Sequence, residues 1–167
     1  MRISKLLLPA LLGLSLWPST GFAEVKVNFV APQRYYDADL YGGYTGRRYE
    51  RATKEMEKIF QGLAQRYLAP GDQLTIDVLD IDLAGEYDPS SRYSYPVRLM
   101  TDTTWPRIKL RYVLTRPDAP PVSGDELVAD PNYLTFPNFH SGSQAFAYER
   151  VMLDRWFKAR FAAPAPG

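Results

Sequence analysis

The sequence predicts an α+β fold: a mainly antiparallel sheet of four to five strands with two amphipathic helices packed on one face. Three features carry this expectation. The densest β-forming run, Leu74 to Glu86, reads LTIDVLDIDLAGE, and a second alternating run follows from Pro106 to Thr115. Two stretches of helical period, Arg47 to Leu68 and Gly142 to about Phe161, bracket the main strands.

The chain opens with Arg2 and Lys5, an apolar run from Leu6 to Trp17, and Gly21-Phe22-Ala23. A basic start, an apolar run shorter than the roughly 20 residues that span a bilayer, and small residues at the recognition positions predict a signal peptide over 1–23. Cleavage after Ala23 then leaves 24–161 as a single α+β domain, with 162–167 as a disordered tail. The expected location is the periplasm, without stable membrane insertion after cleavage.

The full chain has 20 basic and 19 acidic residues, and loss of Arg2 and Lys5 leaves 18 against 19, a net charge of −1. Near-neutrality argues against nucleic acid as a partner, because phosphate binding needs a basic footprint. There is no cysteine, so the exported chain has to be held by its hydrophobic core.

Glu24 to Val30 alternates Val25, Val27 and Phe29 with polar residues, as a first strand does. Ala31 to Gly46 then reads as a long loop, rich in glycine and carrying Tyr35, Tyr36, Tyr41 and Tyr44, with Tyr49 soon after. These tyrosines either cover the sheet edge or present rings to a sugar or a protein; in the second case Tyr36, Tyr41 and Tyr44 are the binding candidates. In the helix that follows, Ala52, Met56, Ile59, Phe60, Leu63, Ala64 and Tyr67 fall on one face, and Pro70-Gly71 ends it.

Within the central run, Leu74, Ile76 and Val78 share one parity and Leu79, Ile81 and Leu83 the other. Either both faces are covered, or a β-bulge returns all six apolar side chains to one face and lines up Asp77, Asp80 and Asp82 on the opposite one. Three carboxylates in a stripe invite a cation, with Asp80, Asp82 and Glu86 as the weak metal candidates, but the spacing matches no calcium loop. The preferred account is neutralisation: Ile108, Leu110, Tyr112 and Leu114 alternate with Arg107, Lys109 and Arg111, so a neighbouring strand carries a basic stripe.

A polar loop from Tyr87 to Arg92 and a strand through Tyr95, Val97 and Leu99 are expected between these two runs. After the basic strand, Pro117, Pro120 and Pro121 predict a stiff turn, Gly124-Asp125 a second one, and Glu126 to Ala129 a short edge strand. Pro131 to Gly142 reads as irregular. Ser141 and Gln144 have capping-box spacing at the start of the last helix, whose apolar residues spread beyond one narrow stripe.

The catalytic inventory is thin. His140 is the only histidine, no G-x-S-x-G elbow is present, and neither a P-loop nor a dinucleotide fingerprint occurs, so no catalytic residue and no cofactor is assigned. Hydrolysis by a carboxylate pair drawn from Asp80, Asp82 and Glu86 remains the enzymatic alternative.

Ile81-Asp82-Leu83-Ala84-Gly85-Glu86, Pro106-Arg107-Ile108-Lys109-Leu110, Gly124-Asp125-Glu126, and Tyr148-Glu149-Arg150 with Leu153 and Trp156 resemble the landmarks of domain-of-unknown-function family 3016. That resemblance implies an exported bacterial protein and no particular activity. The expectation for function is therefore a non-catalytic binding or adaptor module of the cell envelope, its partner an envelope protein or glycan. The alternatives are a carboxylate- or metal-dependent hydrolase acting on envelope material, and a self-associating structural module.

Overall fold

A computed structural model of the chain describes residues 22–39, 48–88, 97–135 and 146–162. Its elements in order are β1 (Glu24–Phe29), α1 (Arg48–Tyr67), β2 (Gln73–Asp82), β3 (Glu86–Tyr87), β4 (Arg98–Leu99), β5 (Arg107–Arg116), β6 (Ala119–Ala129) and α2 (Ala147–Phe161). The main sheet has the order β1-β2-β5-β6, while β3 and β4 form a separate two-stranded arm. β1 runs parallel to β2, and the other pairs are antiparallel. This is the expected α+β arrangement. A parallel pair needs a crossover, and α1 supplies it.

The inner face of the sheet is built from Leu74, Ile76 and Val78 of β2 and Ile108, Leu110, Tyr112 and Leu114 of β5, all buried. Met56, Ile59, Phe60 and Leu63 of α1 and Met152, Leu153, Trp156 and Phe157 of α2 join them in one core. The rings of Phe60 and Phe157 lie 6.1 Å apart between the helices. At the rim of the same contact, Asp154 accepts from Arg66 at 2.6 Å and from the Tyr67 hydroxyl at 3.0 Å.

The parity slip in β2 is a bulge. Its register against β5 shifts between Val78 and Asp80, skipping Leu79. Ile81 and Leu83 thereby return to the buried face with Leu74, Ile76 and Val78. Leu79 does not; it is the inserted residue and stays half-exposed, so the expectation of six inward side chains is one too many. On the outer face Asp77, Asp80 and Asp82 stand opposite Arg111, Lys109 and Arg107. Ion pairs close at 3.2 Å for Asp77–Arg111 and 2.5 Å for Asp82–Arg107. Asp77 and Asp82 are thus neutralised across the strands, while Asp80 accepts from the backbone amides of Tyr36 and Ile81.

Three boundaries differ from expectation. β6 is one continuous 11-residue strand, and the turn before it is confined to Pro117-Asp118. Pro120 and Pro121 are tolerated because they fall at the register break opposite Leu114 to Arg116, near the start of edge strand β6, where neither has a ladder partner. Gly124 is a strand residue beneath the Tyr112 ring; a Cβ there would lie 2.6 Å from Tyr112 Cε1. Tyr87 belongs to β3 rather than to a loop, and only Arg98 and Leu99 of the expected strand through Tyr95 form β4. α2 begins at Ala147 rather than Gly142, with Phe146 as its N-cap in the left-handed region (φ 62). His140, the Ser141–Gln144 pair, Tyr95 and the tail beyond Ala162 lie outside the described residues. Among the described residues, no helix is long and apolar enough to cross a membrane.

Candidate functional site: a polar cleft at the end of β2

The chain leaving β1 makes a short 3-10 turn at Pro32–Arg34 and then runs beside the end of β2. Asp37 N donates to Ile81 O at 3.0 Å, and Leu83 N donates to Asp37 O at 3.1 Å, a strand-like bridge outside the main sheet. Asp80 fixes the approach, its Oδ1 accepting from Tyr36 N at 2.8 Å. Past Asp82, Ala84 and Gly85 turn the chain into the β3–β4 arm. Gly85 adopts φ +76, and a Cβ there would stand 2.9 Å from Leu99 O and closer still to Met100 Sδ, so the arm packs where only glycine fits. Gly85 N donates to Thr104 O at 2.9 Å, which brings the Thr101–Thr104 turn alongside.

Arg98 binds these pieces together. Its guanidinium reaches Asp37 Oδ2 at 2.5 Å and donates to the carbonyls of Gly85 at 2.6 Å, Asp39 at 3.0 Å, Ala84 at 3.1 Å and Leu83 at 3.3 Å. It also lies over the Tyr87 ring, 4.8 Å from the centroid, while Tyr87 donates its hydroxyl to Asp39 O at 2.6 Å. Five otherwise unrelated oxygens are satisfied by one planar donor, the geometry for which arginine is suited and lysine is not. Behind this knot, buried Glu149 of α2 accepts from Ala84 N at 2.7 Å. Burial pushes the Glu149 carboxyl up, against the opposing pull of the Ala84 N–H and Arg98.

The result is an open cleft of about 420 Å³ lined by Tyr36, Asp37, Asp82, Gly85, Glu86, Tyr87, Thr103, Thr104 and Arg107. That volume lies within the usual range of roughly 300–1,000 Å³ for small-ligand sites. Asp82 Oδ2 accepts from Arg107 Nε at 2.6 Å. Burial nevertheless raises the Asp82 carboxyl above its ordinary value, with Asp37 and Asp80 adding to the rise and Arg107 opposing it. Arg107 also sits 5.9 Å from the centroid of the Trp105 ring. Glu86 is exposed, and its carboxylate makes no ion pair among the described residues.

Of the residues singled out from sequence, Tyr36, Asp82 and Glu86 meet in this cleft although 46 positions separate Tyr36 from Asp82. Asp80 supports the Tyr36 backbone instead of lining the cleft, and Asp77 lies away from it, bound by Asn28 Nδ2 at 2.8 Å and by Arg111. Tyr41 and Tyr44 lie outside the described residues. Among the described residues, no group of three or more acidic or histidine side chains is placed to hold a metal. Sequence reasoning did not find Asp37, Arg98, Tyr87, Thr103, Thr104 or Glu149. Glu149 alone left a trace, being an acid three and four residues before Met152 and Leu153 on the buried side of its helix.

Fold and site together define a small α+β protein with a preformed polar cleft, framed by a two-stranded arm and clamped by a partly buried arginine. The chain belongs to a family described as a protein of unknown function (DUF3016), whose signature matches residues 23–159. No curated protein and no solved structure matches it. The segments that carry the family resemblance meet at two places in the fold. Asp82, Gly85, Glu86 and Arg107 surround the cleft with Glu149 behind it, and Gly124, Glu126 and Trp156 pack around Tyr112.

Proposed function

We propose that this protein is a non-catalytic binding module of the bacterial cell envelope, exported by the signal-like segment 1–23, with the cleft as its ligand seat. The observation that carries the reading is the state of the charges in the cleft. Asp37 and Asp82 are each held by an arginine, so the walls are fixed before any ligand arrives, and the Arg107 contacts on Asp82 all fall on Oδ2. Preorganised polar walls favour binding, since little ordering is left to be done on association. The exposed Tyr36 ring at the cleft provides a contact surface on one side.

A second reading has one observation behind it. The Asp82 carboxyl is raised by burial and the Glu86 carboxyl lines the same cleft, so two carboxyls face one space, as hydrolysis by a carboxyl pair requires. Against it stands the Arg107 pairing, which commits one Asp82 oxygen.

Photo-crosslinking in living cells separates these readings from each other and from a structural role. A crosslinker placed at Tyr36 is expected to capture a defined envelope component, and one placed at exposed Lys54 on α1 is not. Equal yields at both positions would remove the cleft as a seat. Release of soluble fragments from envelope material by the native protein, abolished by an Asp82→Asn, Glu86→Gln double variant, would replace binding with hydrolysis. N-terminal sequencing of the exported protein tests the leader, with Glu24 the expected first residue.

A further inference from the structure

We infer that the cleft takes an uncharged carbohydrate, recognised through adjacent hydroxyl groups. This deepens the binding reading and rests on the cleft being the ligand seat.

The inference follows from which hydrogen-bonding capacity the cleft leaves open. Arg98 uses its donors on Asp37 and on backbone carbonyls. Arg107 turns Nε and one terminal nitrogen to the same Asp82 oxygen, Oδ2. Among the described residues this leaves Asp82 Oδ1 and the Glu86 carboxylate as acceptors, and the other terminal nitrogen of Arg107 and the Tyr36 hydroxyl as donors. The Asp37–Arg98 and Asp82–Arg107 pairs leave exposed Glu86 as the uncompensated charge among the described lining residues, so an anion is repelled, and a cation gains only a contact that water screens.

The open set therefore asks for a ligand that donates and accepts from neighbouring atoms and carries no net charge. A vicinal pair of hydroxyls does this, each oxygen giving a proton to a carboxylate while accepting from a guanidinium N–H. An extended peptide also donates and accepts, but it needs an unpaired strand edge or apolar pockets for its side chains. Here the backbones of β2 and β5 already pair with each other, the β3 edge at the cleft is only two residues long, and Thr103 and Thr104 stand in the lining where apolar pockets would be required. The Tyr36 ring, 74% exposed, supplies flat surface for the C–H face of a pyranose.

The test is titration of the full-length chain, as the cell processes it, with neutral trisaccharides (chitotriose, cellotriose, maltotriose). Deacetylated chitotriose serves as the cationic probe, trigalacturonate as the anionic one, and a capped Ala-Ser-Ala peptide as the control. Calorimetry gives affinity, and quenching of Trp105 beside Arg107 reports occupancy. At least one neutral sugar is expected to bind saturably and at least about tenfold tighter than trigalacturonate. Glu86→Gln and Tyr36→Ala should each weaken it about tenfold, the loss of one charged hydrogen bond or one ring contact, with no change in melting temperature. Tightest binding by the cationic, anionic or peptide probe overturns the inference. So does failure of all three neutral sugars, or binding that both variants leave intact. If the sugars fail while crosslinking from Tyr36 still captures a defined component, only the ligand class is wrong; if both fail, the binding reading falls as well.

Discussion

Ala84 N donates to Glu149 Oε1 at 2.7 Å, so the turn that carries Gly85 and Glu86 into the cleft hangs on a carboxyl buried beneath it in α2. Because burial raises this carboxyl above its ordinary value near 4.5, ionising it costs the folded protein more than it costs the unfolded chain. Stability from this group is therefore undiminished below the unfolded value and falls as pH rises towards the folded one.

Glu149→Gln removes that slope while keeping an oxygen for the Ala84 amide. Compared with the parent, the variant should match or exceed its melting temperature at pH 7 and lose that advantage at pH 4. Thermal melts across this range check it, and a variant destabilised more at pH 7 than at pH 4 would mean that the ionised carboxylate is needed. Glu149→Ala, by contrast, strands the buried Ala84 N–H and should cost at least about 1–3 kcal/mol at either pH.

Arg98→Lys tests whether the cleft is held by a fork or merely by a charge. Lysine keeps the attraction to Asp37 but cannot reach the carbonyls of Leu83, Ala84, Asp39 and Gly85 from one plane. The expected outcome is faster amide exchange over 83–87, with the core of β2 and β5 unaffected. Arg98→Ala leaves Asp37 partly buried without its partner and should cost about 3–5 kcal/mol in urea unfolding, the usual range when half of a buried pair is removed.

Gly124→Ala addresses the other place where family landmarks meet. The new methyl would collide with the Tyr112 ring, which packs edge-on to Trp156 at 5.6 Å and to Phe161 at 5.3 Å and donates its hydroxyl to Glu126. Overpacking of this kind costs about 1–3 kcal/mol. Combining it with Tyr112→Leu should cost less than the sum of the two single changes, because the clash leaves with the ring. Strict additivity in denaturant melts would show that the strand moves instead.

The parts of this molecule that could be read from sequence are those governed by periodicity. The slip between Val78 and Leu79 announced the bulge, and the facing acidic and basic stripes announced their own pairing, because both follow from the two-residue repeat of a strand. Gly124 was misread as a turn because a glycine kept small for a neighbouring ring looks no different in sequence from one kept for its backbone freedom. The cleft was legible only in fragments. Tyr36, Asp82 and Glu86 stood out singly, but Asp37 meets Arg98 across 61 positions and Glu149 meets Ala84 across 65, contacts that no local pattern encodes. Arg98 in particular sits in a two-residue strand, too short for periodicity to reveal which way its side chain points.

Asp77 and Asp82 share one strand, one face and one kind of partner, yet they should respond differently to removal. Arg111 and Asp77 are 55% and 29% exposed, so water already solvates both charges; Asp77→Ala should cost less than about 1 kcal/mol and weaken further in high salt. The Asp82 side chain is only 14% exposed and stands at the cleft, where losing it leaves Arg107 beside Trp105 with no carboxylate to hold its plane. Asp82→Ala should therefore destabilise more than Asp77→Ala, change little with salt, and abolish ligand-dependent quenching of Trp105, which Asp77→Ala leaves intact. Asp82→Asn isolates the charge from the shape: with its carbonyl oxygen turned to Arg107 it should recover much of the stability but not the ligand response. Equal losses and equal salt dependence for the two aspartates would instead mean that Asp82 is one more rung of the outer ladder and that the cleft is assembled without it.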